Sequence, residues 1–293
     1  MHKNKPKLLV YIITFNHEDF ITNVLKRIPL ESLTKKYELE LVLNDDASSD
    51  YTVEESYKFM KNIPSNINFK VLHNPINQRY GGNQKIGYHY AVKNKFDLVA
   101  LLHGDGQFAP EYLNKLVEPL DDKNIDAVFG SRMMIKGAAK KGGMPIYKFI
   151  GNKVITFYQN LLLSTRLSEF HSGYRAYRVS SLTKIPFYLN TNNYHFDTQI
   201  IIQFVLAKMK IFEIPIPTYY GLEWHASHII YAIQVCLETL KAKLHTLGFV
   251  SCKKYDCKNK ESYISLSKEN LELEKLLQKA VSAAKDKLSV KQD

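Results

Sequence analysis

The chain has 293 residues, 45% of them hydrophobic and 24% charged, with a formal net charge of +11. That much apolar material excludes a largely disordered chain, and no stretch approaches the run of about 20 apolar residues that a spanning helix needs. The positive charge calls for an anionic partner: nucleic acid, acidic lipid or a phosphorylated substrate. Three sparse cysteines, Cys236, Cys252 and Cys257, make no disulfide framework and lack the ligand pairs of a zinc site. A reducing, cytoplasmic setting is expected, with the protein free or held at the inner face of a membrane.

The first 130 residues alternate short apolar runs with helical spacing. Leu8–Ile13 reads as a strand buried on both faces, followed by a helix over His17–Ile28. Leu39–Leu43, Phe69–Leu72, Leu98–Leu102 and Ala127–Phe129 read as further strands. Thr52–Met60, Asn83–Asn94 and a segment opened by Pro110 read as helices between them. This alternation predicts an α/β fold with a mostly parallel sheet flanked by helices.

Beyond it, Ser131–Gly143 is basic and glycine-bearing and reads as a mobile loop, and Pro145 can open a helix over Ile146–Leu163. Ser164–Arg175 reads as a second loop, Phe196–Met209 as a helix and Ile211–Ile216 as a strand. Ser227–Leu247 is amphipathic, with Ile229, Ile230, Ile233, Leu237, Leu240, Leu244 and Leu247 on one stripe. A lysine-rich linker over 251–262 precedes a helical pattern over Leu271–Leu288, expected to pack weakly or on a partner. The expected division is therefore residues 1–225 as the main domain, 226–250 as the amphipathic helix and 251–293 as linker and helical tail.

Ligands of an open parallel sheet bind beyond the carboxyl ends of its strands. After the first strand comes Thr14-Phe15-Asn16-His17, without the Gly-x-Gly-x-x-Gly of a dinucleotide site, and no phosphate-binding Gly-x-x-x-x-Gly-Lys occurs anywhere. After the second comes Asp45-Asp46-Ala47-Ser48-Ser49-Asp50, and after the fourth His103-Gly104-Asp105-Gly106-Gln107. A carboxylate at the second strand end can accept hydrogen bonds from a base or ribose. Asp105 can reach a divalent cation bridging a diphosphate, a donor set that suits Mg²⁺. The plain alternatives are that Asp46 and Asp50 cap the next helix and that Asp105 makes a tight turn. His225 and His228 are spaced like metal ligands but lack a third, so exposed or capping histidines are the simpler reading.

Taken in order, these segments resemble the family 2 inverting nucleotide-sugar glycosyltransferases of GT-A fold, over roughly residues 7–220. The polyprenyl-phosphate hexosyltransferases of the dolichyl-phosphate mannose synthase type are the most similar. The resemblance is carried by Ile13-Thr14-Phe15-Asn16, Asp45-Asp46-Ala47-Ser48-Ser49-Asp50, Gly81-Gly82-Asn83, Gly104-Asp105-Gly106-Gln107 and Gly130-Ser131-Arg132. It continues through Ser172-Gly173-Tyr174-Arg175, His195-Phe196-Asp197-Thr198-Gln199 and Glu213-Ile214-Pro215-Ile216. His103 stands where the family has the first aspartate of Asp-x-Asp, and the closing Arg-x-x-Gly-x-Ser-Lys of lipid-phosphate enzymes is replaced by Tyr219-Tyr220-Gly221-Leu222-Glu223.

The resemblance implies that Thr14, Phe15, Asp46 and Asp50 contact base and ribose. It implies that Asp105 and Gln107 hold the diphosphate with Mg²⁺ or Mn²⁺, and that Arg132 and Arg175 face anionic phosphates. Glu169 takes the place of the family's aspartate in Asp-x-x-Ser-Gly. A hydroxyl acceptor would need a general base, for which Glu169 and Asp197 are the candidates, whereas a lipid-phosphate acceptor is already ionised. The implied enzyme moves a hexose from a nucleotide sugar to a polyprenyl phosphate or other glycan acceptor in cell-envelope biosynthesis, with possible peripheral membrane contact and no nucleic acid. Two other classes compete. A sugar-phosphate nucleotidyltransferase would show a glycine-rich, arginine-bearing loop after the first strand, which Thr14–Asp19 lacks. A nucleic-acid binder would gather its basic residues into one stripe with stacking aromatics, whereas here the lysines are scattered.

Overall fold

The structure, a computed structural model, describes residues 5–217, 219–220, 228–257 and 268–289. Seven strands build one sheet: β1 (Lys7–Thr14), β2 (Glu38–Asp45), β3 (Asn68–His73), β4 (Leu98–His103), β5 (Ala127–Ser131), β6 (Arg175–Arg178) and β7 (Ile211–Pro215). Their order is β3-β2-β1-β4-β6-β5-β7, and only β6 runs antiparallel to its neighbours. The continuous apolar run of β1 follows from its place. Leu9 and Tyr11 enter the core on one face of the sheet and Leu8, Val10 and Ile12 the core on the other, all without solvent exposure.

Helices α1 (Glu18–Lys26), α2 (Leu30–Lys36), α3 (Thr52–Met60), α4 (Arg79–Lys93) and α5 (Leu113–Val117) connect the first five strands. After β5 come α6 (Ala138–Lys141), α7 (Ile146–Leu163), α8 (Val179–Leu182), α9 (Phe196–Leu206), α10 (His228–Thr246) and α11 (Lys268–Ser289). All the strands read from apolar runs are present. β6 was not read from the sequence: it starts at the last residue of the loop expected over Ser164–Arg175, and its four residues, Arg-Ala-Tyr-Arg, carry no apolar run. It becomes a strand by inserting between β4 and β5, where Arg178 also donates to the carbonyls of Leu120 and Ile125.

Three further expectations are corrected. Helix α4 starts at Arg79 rather than Asn83, and its first turn holds Gly81 and Gly82, whose N–H groups donate to the Asn192 carbonyl at 2.7 and 3.3 Å. A Cβ on Gly81 would lie 2.5 Å from the Thr191 carbonyl, so glycine permits this close approach. The Ser131–Gly143 segment is not a free loop. It includes α6, buries Ala139, and its Gly142 carbonyl accepts from Tyr220 N at 3.0 Å.

The tail, expected to pack weakly, lies against β3 and α4. Leu273, Leu277 and Ala280 of α11 are buried in the same core as Tyr88 and Ile86, and Ala284 is buried as well. Glu274 pairs with His89 and Lys93, and Lys287 Nζ donates to the Ser48 carbonyl at 3.1 Å. The helix thereby packs beside β3, an edge strand of the sheet. His225 lies outside the described residues, as does the side chain of His228. Among those described, no group of three or more His, Cys, Asp or Glu side chains forms a metal cluster.

Replacing Leu277 with Ala should lower the unfolding free energy by about 2–4 kcal/mol, the usual loss for a buried leucine. Urea titration followed by circular dichroism reads this. An unchanged midpoint would mean that α11 contributes nothing to the folded core.

Candidate active site

The carboxyl ends of β1, β2 and β4 meet in one region, and each turn there is built from side-chain to backbone bonds. Asn16 follows β1 with φ of 54°. Its N–H donates to Ser48 Oγ at 2.7 Å, and its Oδ1 accepts from Ser49 N at 2.9 Å. Thr14 is buried, whereas Phe15 is 44% exposed and offers its ring to a stacking partner. Of the two aspartates ending β2, Asp45 is fully buried and accepts from Ser48 N at 3.0 Å and from His73 Nδ1 at 2.6 Å. Asp46 Oδ1 accepts from Asn74 Nδ2 and Gln78 N, both at 2.8 Å. Burial pushes its carboxyl above the ordinary range, against those hydrogen bonds.

Asp50 takes the capping geometry. Its Oδ2 accepts from Glu18 N at 3.0 Å and its Oδ1 from Thr52 N at 3.0 Å, so one carboxylate caps both α1 and α3. Burial acts to raise its pKa, but the bonds from Thr52 and Glu18 outweigh it and the net shift is downward.

In the turn after β4, a Cβ on Gly104 would stand 2.7 Å from Thr14 Oγ1, and Gly106 has φ of 72°. Both positions require glycine. Asp105 Oδ1 accepts from Gln107 N at 2.9 Å, which fixes the carboxylate in the turn. A divalent cation here would have Asp105 and Gln107 as its protein partners, with diphosphate oxygens and waters filling its shell. That sparse set fits Mg²⁺ or Mn²⁺ carried in on a nucleotide. His103 packs edge-on against Tyr80 and Phe108, with ring centroids 5.6 and 5.0 Å away. Burial lowers its pKa, against the charges of Asp105 and Asp197. Gly173 makes room for this ring, since a Cβ there would lie 2.7 Å from His103 Cε1 and 2.5 Å from Tyr80 Oη.

Two ion pairs lie behind these turns. Arg132 donates through Nε to Glu169 Oε1 at 2.9 Å and through its backbone N–H to Oε2 at 2.8 Å, while its Nη1 reaches Tyr220 Oη. Asn152 Nδ2 of α7 also donates to Glu169 Oε1, at 2.7 Å. Burial works to raise the Glu169 pKa, but the charge and hydrogen bonds of Arg132 outweigh it and hold the carboxyl below its ordinary value. Arg175 is 1% exposed. It donates to the carbonyls of Ser172, Asp197 and Phe170 at 2.8–3.0 Å and pairs with Asp197 Oδ1 at 3.4 Å. Asp197 also accepts from Tyr80 Oη at 2.8 Å and Gln84 Nε2 at 3.2 Å.

These partners change two expectations. Arg132 and Arg175 are buried and turn most of their donors to partners inside the protein rather than to open space. Glu169 and Asp197 are not free carboxylates, because each is locked to an arginine. The four residues brace the site rather than line it. Tyr80, Asn152 and Tyr231, which reasoning from sequence missed, also belong here, Tyr231 Oη lying 3.0 Å from His171 Nδ1. Burial first, then the charges of Arg132 and Arg175 against that of Glu169, brings His171 down to about 4. Asn152 is one of several polar residues of α7 and gives no signal of its own in the sequence.

A sheet with one antiparallel insertion, carboxylates at two parallel strand ends and a glycine-flanked aspartate define a nucleotide-sugar transferase of GT-A architecture. Residues 9–185 match the family model for Glycosyl transferase family 2, and the chain belongs to that family. It is a glycosyltransferase. The UDP-N-acetylglucosamine–dolichyl-phosphate N-acetylglucosaminyltransferase of Methanococcus voltae is 29% identical over 227 residues, 72% of this chain and 86% of that one. The undecaprenyl-phosphate mannosyltransferase of Micrococcus luteus is 27% identical over 61% of this chain and 71% of its own. Among solved structures, glucosyl-3-phosphoglycerate synthase from Mycobacterium tuberculosis, in complex with Mn²⁺, UDP and glucosyl-3-phosphoglycerate, superposes with a TM-score of 0.58. It is 16% identical and covers 81% of this chain and 80% of that one.

Asp50→Ala and Asp46→Ala should separate capping from binding. Losing the double cap should cost about 1–2 kcal/mol of stability and leave donor affinity nearly unchanged in the folded fraction. Asp46→Ala should weaken nucleotide binding with the smaller loss of stability. Calorimetric titration beside urea unfolding reads both, and the reverse ranking would return Asp50 to the ribose.

Proposed function

We propose that the chain transfers a hexose from a nucleotide sugar to the phosphate of a polyprenyl phosphate, with inversion at the anomeric carbon. The reaction would take place at the cytoplasmic face of a membrane, in the assembly of cell-envelope glycans. The observation that carries this acceptor is the engagement of both candidate bases. Glu169 is bound by Arg132 and Asn152, and Asp197 by Arg175, Tyr80 and Gln84. A hydroxyl nucleophile needs a carboxylate to take its proton, whereas a phosphate oxygen attacks already ionised. The names of the relatives, which act on dolichyl and undecaprenyl phosphates, support the same acceptor class.

The chain's own part is positioning and charge. Phe15 stacks on the base and Asp46 accepts from base or ribose. Asp105 and Gln107 would hold Mg²⁺ or Mn²⁺, and the ion would supply positive charge to stabilise the leaving diphosphate. The acceptor oxygen forms its bond to the anomeric carbon from the face opposite the diphosphate. The bond from that carbon to the diphosphate oxygen breaks, and its electron pair leaves with the nucleoside diphosphate. No proton has to be removed. The Mn²⁺ and UDP named with the solved relative are consistent with this donor side.

The test offers UDP-, GDP- and dTDP-hexoses with a short water-soluble polyprenyl phosphate and, in parallel, the corresponding alcohol, with products read by mass spectrometry. Transfer to the phosphate alone is expected. Equal transfer to the alcohol would require a working general base and would overturn the reading. Asp105→Ala should reduce metal-dependent turnover by about 10²-fold or more with an unchanged melting profile. Full turnover at saturating metal would remove Asp105 from the donor site.

A further inference from the structure

Helices α7 and α10 lie side by side and are amphipathic in the inverted sense. The residues that α7 buries are Thr156, Gln159 and Leu163, and α10 buries Val235, Thr239 and Ala242. The pair is joined by polar contacts, Tyr158 Oη donating to the Cys236 carbonyl at 3.3 Å and Gln159 Nε2 to Thr239 Oγ1 at 3.5 Å. The large apolar side chains point outward. Ile150, Val154 and Phe157 of α7 are 55–71% exposed, and Ile230, Ile233 and Leu237 of α10 are 54–62% exposed. A helix that packs only on its own core buries its apolar stripe, and scattered single residues would need no explanation. Two adjacent helices with matching outer stripes form one continuous apolar face.

The charge around this face is one-sided. Between Asp126 and Glu169 the chain has seven basic residues and no acidic one. Lys136, Lys140, Lys141, Lys153 and Arg166 of this stretch are exposed. The one acidic residue of α10, Glu238, turns inward to Lys254 and Tyr255. An apolar face bordered by lysines matches an anionic bilayer, into which such a face sinks about 5–10 Å at the headgroup boundary. A second copy of the chain would bring the same positive border against itself, and like charges in contact oppose that pairing.

We propose that the outer face of α7 and α10, with the basic segment 136–153, is the surface by which this protein docks on an anionic phospholipid membrane. The same helices reach the site from behind. Asn152 of α7 touches Glu169, Tyr231 of α10 touches His171, and Lys148 lies 5.3 Å from the centre of the Tyr220 ring. Docking thus sets the site at headgroup height, where a lipid-linked phosphate reaches it without leaving the bilayer. The acceptor in this picture rests on the lipid-phosphate reading above, while the docking itself is measured separately.

The experiment is flotation of the full chain with phosphatidylcholine vesicles, with and without phosphatidylglycerol. Flotation on the anionic vesicles alone, lost at high salt, is expected. Phe157→Asn combined with Ile233→Asn should lower the bound fraction about tenfold or more, and Lys141→Glu with Lys153→Glu should do the same. Transfer to the short soluble polyprenyl phosphate should be unchanged in both, since none of these side chains touches the site. Exposed positions keep the variants folded, and matching melting curves confirm it. Failure of the unaltered chain to float at low salt overturns the docking surface. A light-scattering dimer that the Asn pair disperses, without flotation, assigns the face to a second copy and overturns it too. If flotation fails while the soluble acceptor is still used, the function above stands alone. If flotation succeeds and the soluble phosphate is refused, the docking surface stands and the acceptor reading falls.

Discussion

Arg175 carries a permanent charge into the middle of the molecule, and the arrangement of the site depends on how that charge is met. A lone guanidinium there would cost several kcal/mol of lost hydration, by the usual ~kcal/mol scale of buried ions. Asp197 balances it, and the carbonyls of Phe170, Ser172 and Asp197 take up its donors. Those carbonyls belong to the loop before β6 and to the start of α9, so one side chain fixes both. Asp197 in turn accepts from Tyr80, and Tyr80 packs on His103. The position of the His103–Gln107 turn therefore traces back to a single buried ion pair. Arg132 and Glu169 repeat the device one strand away, tying β5 to the loop over 168–171 and, through Asn152, to α7.

The donor side is built by a different means. Asn16, Ala47 and Arg79 follow β1, β2 and β3 in the left-handed region, with φ of 54°, 67° and 64°. Each costs of order 1 kcal/mol for a residue with a Cβ. Hydrogen bonds offset the cost, Asn16 bonding to Ser48 and Ser49 and Asp46 gathering Asn74 and Gln78. The gain is three sharp turns at one end of the sheet, which bring Thr14, Asp46 and the start of α4 together.

What could be read from the sequence follows the same division. The first five strands were legible because each is buried on both faces and so spells a continuous apolar run. The order of turn motifs, from Thr14-Phe15-Asn16 through Gly104-Asp105-Gly106, pointed to the family and to Asp105, because turns draw on a short list of residues. The roles of Arg132, Arg175, Glu169 and Asp197 were not legible. Burial and pairing depend on chain segments 22 to 37 residues apart, and a motif does not reveal whether its charge faces a ligand or another side chain. Strand β6 was hidden for a related reason: its pairing comes from its neighbours, not from its own composition. The packing of α11 was missed because the tail has few aromatics, whereas its buried side is made of Leu273, Leu277, Ala280 and Ala284.

The amphipathic stripe of α10 was visible in the sequence, but its direction was not. Periodicity shows that a helix has an apolar side and leaves open whether that side meets the core or the outside. Here the inner side of α7 and α10 mixes Leu163, Val235 and Ala242 with Thr156, Gln159 and Thr239, the last two bonding to each other, so the core uses only a few of their apolar residues. Stability of the fold therefore does not explain the outward isoleucines and Phe157, and exposing them works against solubility. The brace behind the site and the apolar face outside it belong to the same two helices. On the proposed reading, an acceptor with a charged head and a hydrocarbon tail would have its two ends met by the two sides of one helical layer.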